Sequence, residues 1–161
     1  MNFLKTLIYL IVLFIVQSIF VPYLSIRGVM PDVLLIFLVY WVSQNGRFWG
    51  IVLGFLTGFM QDMSGDSVAG LFALSKSIAC FIAASLTRNR YELNPNFMGF
   101  VLFVTTLSHH LVCAFIEYLN VTSGFFPSVL RYSIPSTFYT VFIGTGVYYL
   151  MYWMQHHIRR R

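Results

Sequence analysis

From Thr6 to Leu24 the chain runs without a single charged residue. A helix of that length rises to roughly 30 Å, the thickness of a bilayer's hydrocarbon core. Uncharged or nearly uncharged stretches recur at 33–42, 48–60, 68–86, 96–119 and 133–154. Such a chain cannot cover a water-facing surface: only 9% of its residues are charged and its mean hydropathy is +0.77, where a soluble domain carries about 25% charged residues. The pattern predicts an all-α integral membrane protein, one transmembrane domain over residues 1–161, with six helices at 6–24, 31–43, 48–62, 67–86, 96–119 and 133–154. Whatever it does happens within the bilayer or at its two faces.

The net charge of +5 is carried in short clusters beside apolar runs, a pattern that orients a membrane protein and does not point to nucleic acid. With the first helix running outward, Lys5, Arg47, Arg88, Arg90 and Arg159 to Arg161 fall inside, and only Arg27 and Arg131 outside. Both termini of this multi-pass chain are then cytoplasmic. The first apolar run lacks a small-residue cleavage site, so it reads as an uncleaved helix. Tyr148, Tyr149, Tyr152 and Trp153 anchor the inner interface, and the Arg159–Arg161 tail suits anionic lipid or a cytoskeletal partner. Cys80 and Cys113 are single residues in apolar runs and read as small buried thiols.

Local punctuation places the boundaries. Pro31-Asp32 suits a helix first turn, with the acid at the positive end of the dipole. Asn45-Gly46 is a turn signal. The arms of this second and third helix hairpin are short for a full crossing; it crosses a thin region or is re-entrant, and Arg47 at its tip favours crossing. Gly65 can end the third helix in a left-handed conformation, with Asp66 or Ser67 capping the next. Asn94-Pro95 opens the fifth helix, and the long 120–132 loop carries an apolar Phe125-Phe126-Pro127.

The third helix carries Gly50, Gly54 and Gly58, and the same spacing lands on Asp62. Residues four apart share a helix face, so the stripe is a bare groove where another backbone can approach. Its expected partner is the fourth-helix face of Ala69, Ala73, Ser77 and Cys80. Four of the five acids, Asp32, Asp62, Asp66 and Glu117, gather at the outer end. They either cap helices towards water or, for Asp32 and Asp62, floor a cleft between helices. Lys76 within the fourth helix calls for a partner or a water path, because a lysine near the bilayer centre costs about 2.5–3.5 kcal/mol; a structural ion pair is the leading account, with a ligand counter-charge or a proton-relay member the alternatives. Asp62 is the first candidate partner and Glu117 the second. His109 and His110 diverge by about 100° around a helix and cannot readily chelate one metal; helix-to-helix hydrogen bonding is their leading role, and His110 with Glu117, on one face, is the alternative as a polar track. No catalytic motif or cofactor signature is present, and the reading is not an enzyme.

Pro31-Asp32 opening an apolar helix, then Gly50, Gly54-Phe55, Gly58-Phe59, Gln61-Asp62, Ser64-Gly65 and Gly70, resembles the bacterial rod shape-determining MreD family. The resemblance implies a non-catalytic, multi-pass component, in the bacterial cytoplasmic (inner) membrane, of the machinery that builds the lateral cell wall. It also implies work beside an MreC-like bitopic protein, the actin-like MreB, and the wall-synthesis glycosyltransferase RodA with its transpeptidase. The expected partner- or ligand-binding cleft comprises Pro31, Asp32, Gly50, Gly54, Gly58, Asp62, Lys76 and Glu117. The family fold is similar to the substrate-binding component of energy-coupling-factor vitamin transporters, which supplies an alternative. Those components dock through alanines in the first helix, and Thr6–Leu24 has none.

Overall fold

The computed structural model describes residues 3–26, 28–65, 68–88, 94–120, 126 and 129–158. Among these are six α-helices: α1 (Phe3–Ile19), α2 (Val33–Asn45), α3 (Arg47–Ser64), α4 (Leu71–Thr87), α5 (Pro95–Asn120) and α6 (Ile134–Ile158). A 3-10 turn, Val21–Leu24, follows α1, and a π turn, Val129–Ser133, leads into α6. No strand occurs among the described residues beyond an isolated bridge between Ile26 and Val29.

The shortest helix lies at the centre. α2 is apolar on every side, and a helix of that kind must be surrounded. Leu34, Leu35, Leu38, Val39 and Val42 are 0–1% exposed, and α2 touches all five other helices. Its start is fixed by Asp32, whose Oδ1 accepts from the Leu35 N–H at 2.9 Å. Its end is fixed by Gly46, at φ +92°, whose N–H reaches the Val42 carbonyl at 3.1 Å. That single glycine joins α2 to α3, so the hairpin is tighter than its sequence suggests: α2 keeps its expected length but is shifted two residues on, with Pro31 and the Asp32 cap preceding it, and α3 runs three residues longer than expected. α3 reaches 18 residues, roughly 27 Å.

The glycine stripe is a packing face, and it serves two helices. A Cβ on Gly54 would lie 2.8 Å from Cys80 Sγ and 2.9 Å from the Lys76 carbonyl, and one on Gly58 would strike the Phe72 carbonyl and Ala73 Cα. Gly50, in contrast, faces Val42 of α2. Ala69 lies in the turn before α4 and takes no part. Gly65 is extended, at φ −121°; the left-handed residue of this connection is Gly70, at φ +90°.

The outer surface is apolar. Ile8, Val12 and Ile15 of α1, Phe55 and Phe59 of α3, Phe100 and Phe115 of α5, and Phe138 and Phe142 of α6 are all exposed. Pro95–Leu119 is long and apolar enough to cross a membrane; Ile8–Ile19, Val33–Asn45 and Leu71–Thr87 are shorter apolar helices. Asp66, Ser67, Glu92, Arg27, Arg90, Phe125, Pro127 and the Arg159–Arg161 tail lie outside the described residues, while Phe126 is exposed.

Candidate functional site

Where α1, α3 and α5 finish and α2, α4 and α6 begin, the helix ends frame a cavity of about 610 Å³. Every helix contributes: Gln17 from α1, Pro31 and Asp32 from the start of α2, Gln61 from α3, Phe72 from α4, His109, His110, Cys113 and Glu117 from α5, and Ser136 from α6. Tyr132 and Ser133 of the π turn complete the wall. Arg47 and Arg88 lie together at the other end of the bundle, lining a separate hollow with Ser43, Gln44 and Thr87.

The wall is held by polar contacts between elements distant in sequence. The Asp32 N–H donates to Thr140 Oγ1 at 3.1 Å. Gln17 uses both ends of its amide: Nε2 donates to the Pro31 carbonyl at 3.1 Å, and Oε1 accepts from the Val33 N–H at 2.9 Å. Ser136 Oγ donates to the Met30 carbonyl at 2.8 Å. These bonds satisfy backbone groups of the helix start that would otherwise be buried unpaired.

Beneath this wall Lys76 Nζ forms an ion pair with Asp32 Oδ2. Lys76 is fully buried and Asp32 is 8% exposed. The partner is therefore neither Asp62 nor Glu117. A lysine in the first turns of α4 opposes that helix's dipole, and a carboxylate at the start of α2 agrees with its own; facing the two together compensates the first. His109 Nε2 approaches the same carboxylate oxygen at 3.7 Å, its ring stacked on Phe72 with centroids 6.2 Å apart. Cys113 Sγ donates to Ser75 Oγ at 3.3 Å and sits 3.9 Å from His109 Nε2.

Asp62 does something other than floor the cleft. α4 begins at Gly70 and has no side-chain cap of its own. Asp62 supplies one from α3: its two carboxylate oxygens accept from the Phe72 and Ala73 N–H groups at 2.9 and 3.0 Å. One turn earlier Gly58 lets the same Phe72–Ala73 backbone come into contact. The stripe and its terminal acid thus form one device for docking the start of α4.

Of the expected cleft residues, Pro31, Asp32 and Glu117 line the cavity and Lys76 pairs behind it. Gly50, Gly54, Gly58 and Asp62 belong to helix packing. Gln17, Gln61, Phe72, His109 and the α6 hydroxyls were not anticipated. Gln17 carried a signal, as a polar residue inside an uncharged run, and so did Ser133, Ser136, Thr137 and Thr140 with their helical spacing.

The family model for the rod shape-determining protein MreD matches residues 1–157. No curated protein matches the chain, and no solved structure does. The family match spans nearly the whole sequence, including the Pro31-Asp32 start, the glycine stripe and every helix around the cavity. The chain belongs to the MreD family, membrane proteins of the rod-shape complex that act in rod-shape determination.

Proposed function

We propose that this protein is a six-span adaptor of the elongation machinery, a non-catalytic scaffold that regulates lateral peptidoglycan synthesis by binding partner membrane proteins. The polar cavity receives the juxtamembrane segment of an MreC-like bitopic partner, and the wall-synthesis glycosyltransferase and transpeptidase with MreB assemble around that pair. Both termini are cytoplasmic in this reading, with Arg47 and Arg88 at the inner face and the cavity open at the outer one. One observation carries the reading. All six helices end on a single cavity whose polar wall is pinned by a buried ion pair, a rigid frame suited to holding a partner in one orientation.

Purification from native membrane with mass spectrometry tests it. Recovery of a bitopic partner and wall-synthesis proteins is expected. Recovery of transporter ATPase subunits without them would favour the vitamin-transporter alternative, which the cavity's small-molecule size keeps in view.

A further inference from the structure

At the end of the bundle away from the docking cavity, a hollow of about 510 Å³ lies between the end of α2, the start of α3 and the end of α4. Its wall includes Ser43, Gln44, Arg47, Thr87 and Arg88, so two guanidiniums from different helices meet there. Arg88 follows the last turn of α4, where a cation suits the helix dipole. Arg47 stands in the first turn of α3, where it opposes the dipole, and that turn has neither an acidic residue nor a side-chain cap to offset it. Arg47 is nevertheless held in place. Its Nη2 donates to Ser85 Oγ at 3.1 Å, and its guanidinium lies over the Phe81 ring, 4.8 Å from the centroid. These contacts leave most of its N–H donors for a ligand. The hydroxyls of the wall are committed to their own helices: Ser43 Oγ donates to the Tyr40 carbonyl at 2.6 Å and Thr87 Oγ1 to the Ala83 carbonyl at 2.8 Å. The lining side chains therefore offer two guanidiniums and the Gln44 amide, a donor set suited to an oxyanion. The 89–93 loop adds Arg90 and Glu92, one charge of each sign, so the positive balance stands.

The flank beside this hollow is aromatic. Phe48 and Trp49, edge to face with centroids 5.6 Å apart, adjoin Arg47, and Phe81 lies beneath its guanidinium; all three rings are exposed. Aromatic rings in such a position sit at the level of the headgroups, with hydrocarbon below them. A soluble anion would make no use of that surface, whereas a lipid uses both parts. We infer that the hollow binds the headgroup of an anionic phospholipid, its phosphodiester between Arg47 and Arg88 and its acyl chains along Phe48 and Phe81. Basic pockets between helices at the cytoplasmic face recognise headgroups of this kind. The inference goes beyond the adaptor reading: it shares the topology proposed above and requires nothing of the docking cavity.

The test uses the full chain in micelles holding equimolar phosphatidylglycerol and phosphatidylethanolamine, with the retained lipid read by native mass spectrometry. The wild-type chain should retain phosphatidylglycerol in preference. Arg47→Gln and Arg88→Gln should each lower that preference by about threefold to fivefold, the upper range for an exposed ion pair, and the double variant should retain the two lipids equally. Arg131→Gln, in the π turn at the opposite end, should leave the preference unchanged, which separates the hollow from net charge. Inorganic phosphate should not displace the lipid. A wild-type chain without preference, a preference that survives in the double variant, or an equal loss from Arg131→Gln overturns the inference; displacement by inorganic phosphate overturns the assignment to lipid. Failure to co-purify a wall-synthesis partner overturns the adaptor reading alone.

Discussion

Replacing Lys76 by Met keeps the length of the side chain in a fully buried position and removes its charge. Asp32 then retains the Leu35 N–H on Oδ1 and loses the cation on Oδ2, inside a site where it is 8% exposed. Removing one partner of a buried pair costs about 3–5 kcal/mol, because the surviving charge is left uncompensated. Asp32→Asn strands the Lys76 ammonium in the same way and is expected to cost a similar amount. The cap survives that change, since asparagine caps about as well as aspartate. In the double variant neither charge remains, and a loss of only about 1–2 kcal/mol is expected, mostly from weakened hydrogen bonding. Equilibrium unfolding of all four proteins in mixed detergent micelles reads the cycle. If the pair were not coupled, the double loss would be the sum, about 6–10 kcal/mol, enough to unfold a protein of ordinary stability. A double variant worse than either single one would refute the ion-pair account.

Three other outcomes follow from the packing. Alanine should be most damaging at Gly58, where the clash is with the Phe72–Ala73 backbone, and also damaging at Gly54, against Cys80 and the Lys76 carbonyl, and at Gly50, against the stiff, buried Val42 side chain; Gly146→Ala, with open space around it, should accumulate normally in the membrane. Asp62→Ala removes both caps of α4 and should cost about 1–3 kcal/mol in the same unfolding assay, with Asp62→Asn intermediate. Single cysteines introduced at Ser43 and Tyr132, in a variant lacking Cys80 and Cys113, should react with an impermeant thiol reagent only from the inside and only from the outside respectively; labelling of both from one side would refute the proposed topology.

Much of this architecture was legible in the residues, because the hydrophobic effect and helix punctuation write themselves locally. Uncharged runs, Pro31-Asp32, Asn45-Gly46 and Asn94-Pro95 mark where helices lie. The need for a partner at Lys76 was also legible, since a buried lysine is expensive wherever it is. Its identity was not: sequence proximity through a tight turn suggested Asp62, but the orientation of α2 across the bundle brings Asp32 instead. Asp62 was misread for a related reason. That α4 starts at a glycine without its own cap is visible only once the α3–α4 crossing is known, and the stray carboxylate then has a use. The cavity's other walls depend on long-range contacts, such as Ser136 with Met30 and Thr140 with Asp32, which no local pattern encodes. Gln17 and the hydroxyl series of α6 signalled a buried polar surface without revealing that they shared one.

The central claim is that the cavity end of the bundle is where a wall-synthesis partner docks. A photo-crosslinking amino acid placed at Tyr132, half exposed on the cavity rim, tests it in growing rod-shaped cells. Phe142, 80% exposed on the flank of α6, is the control. Adducts to a bitopic membrane protein from position 132, and none from position 142, are predicted. Protein adducts from the flank alone, or equally from both, would contradict the account.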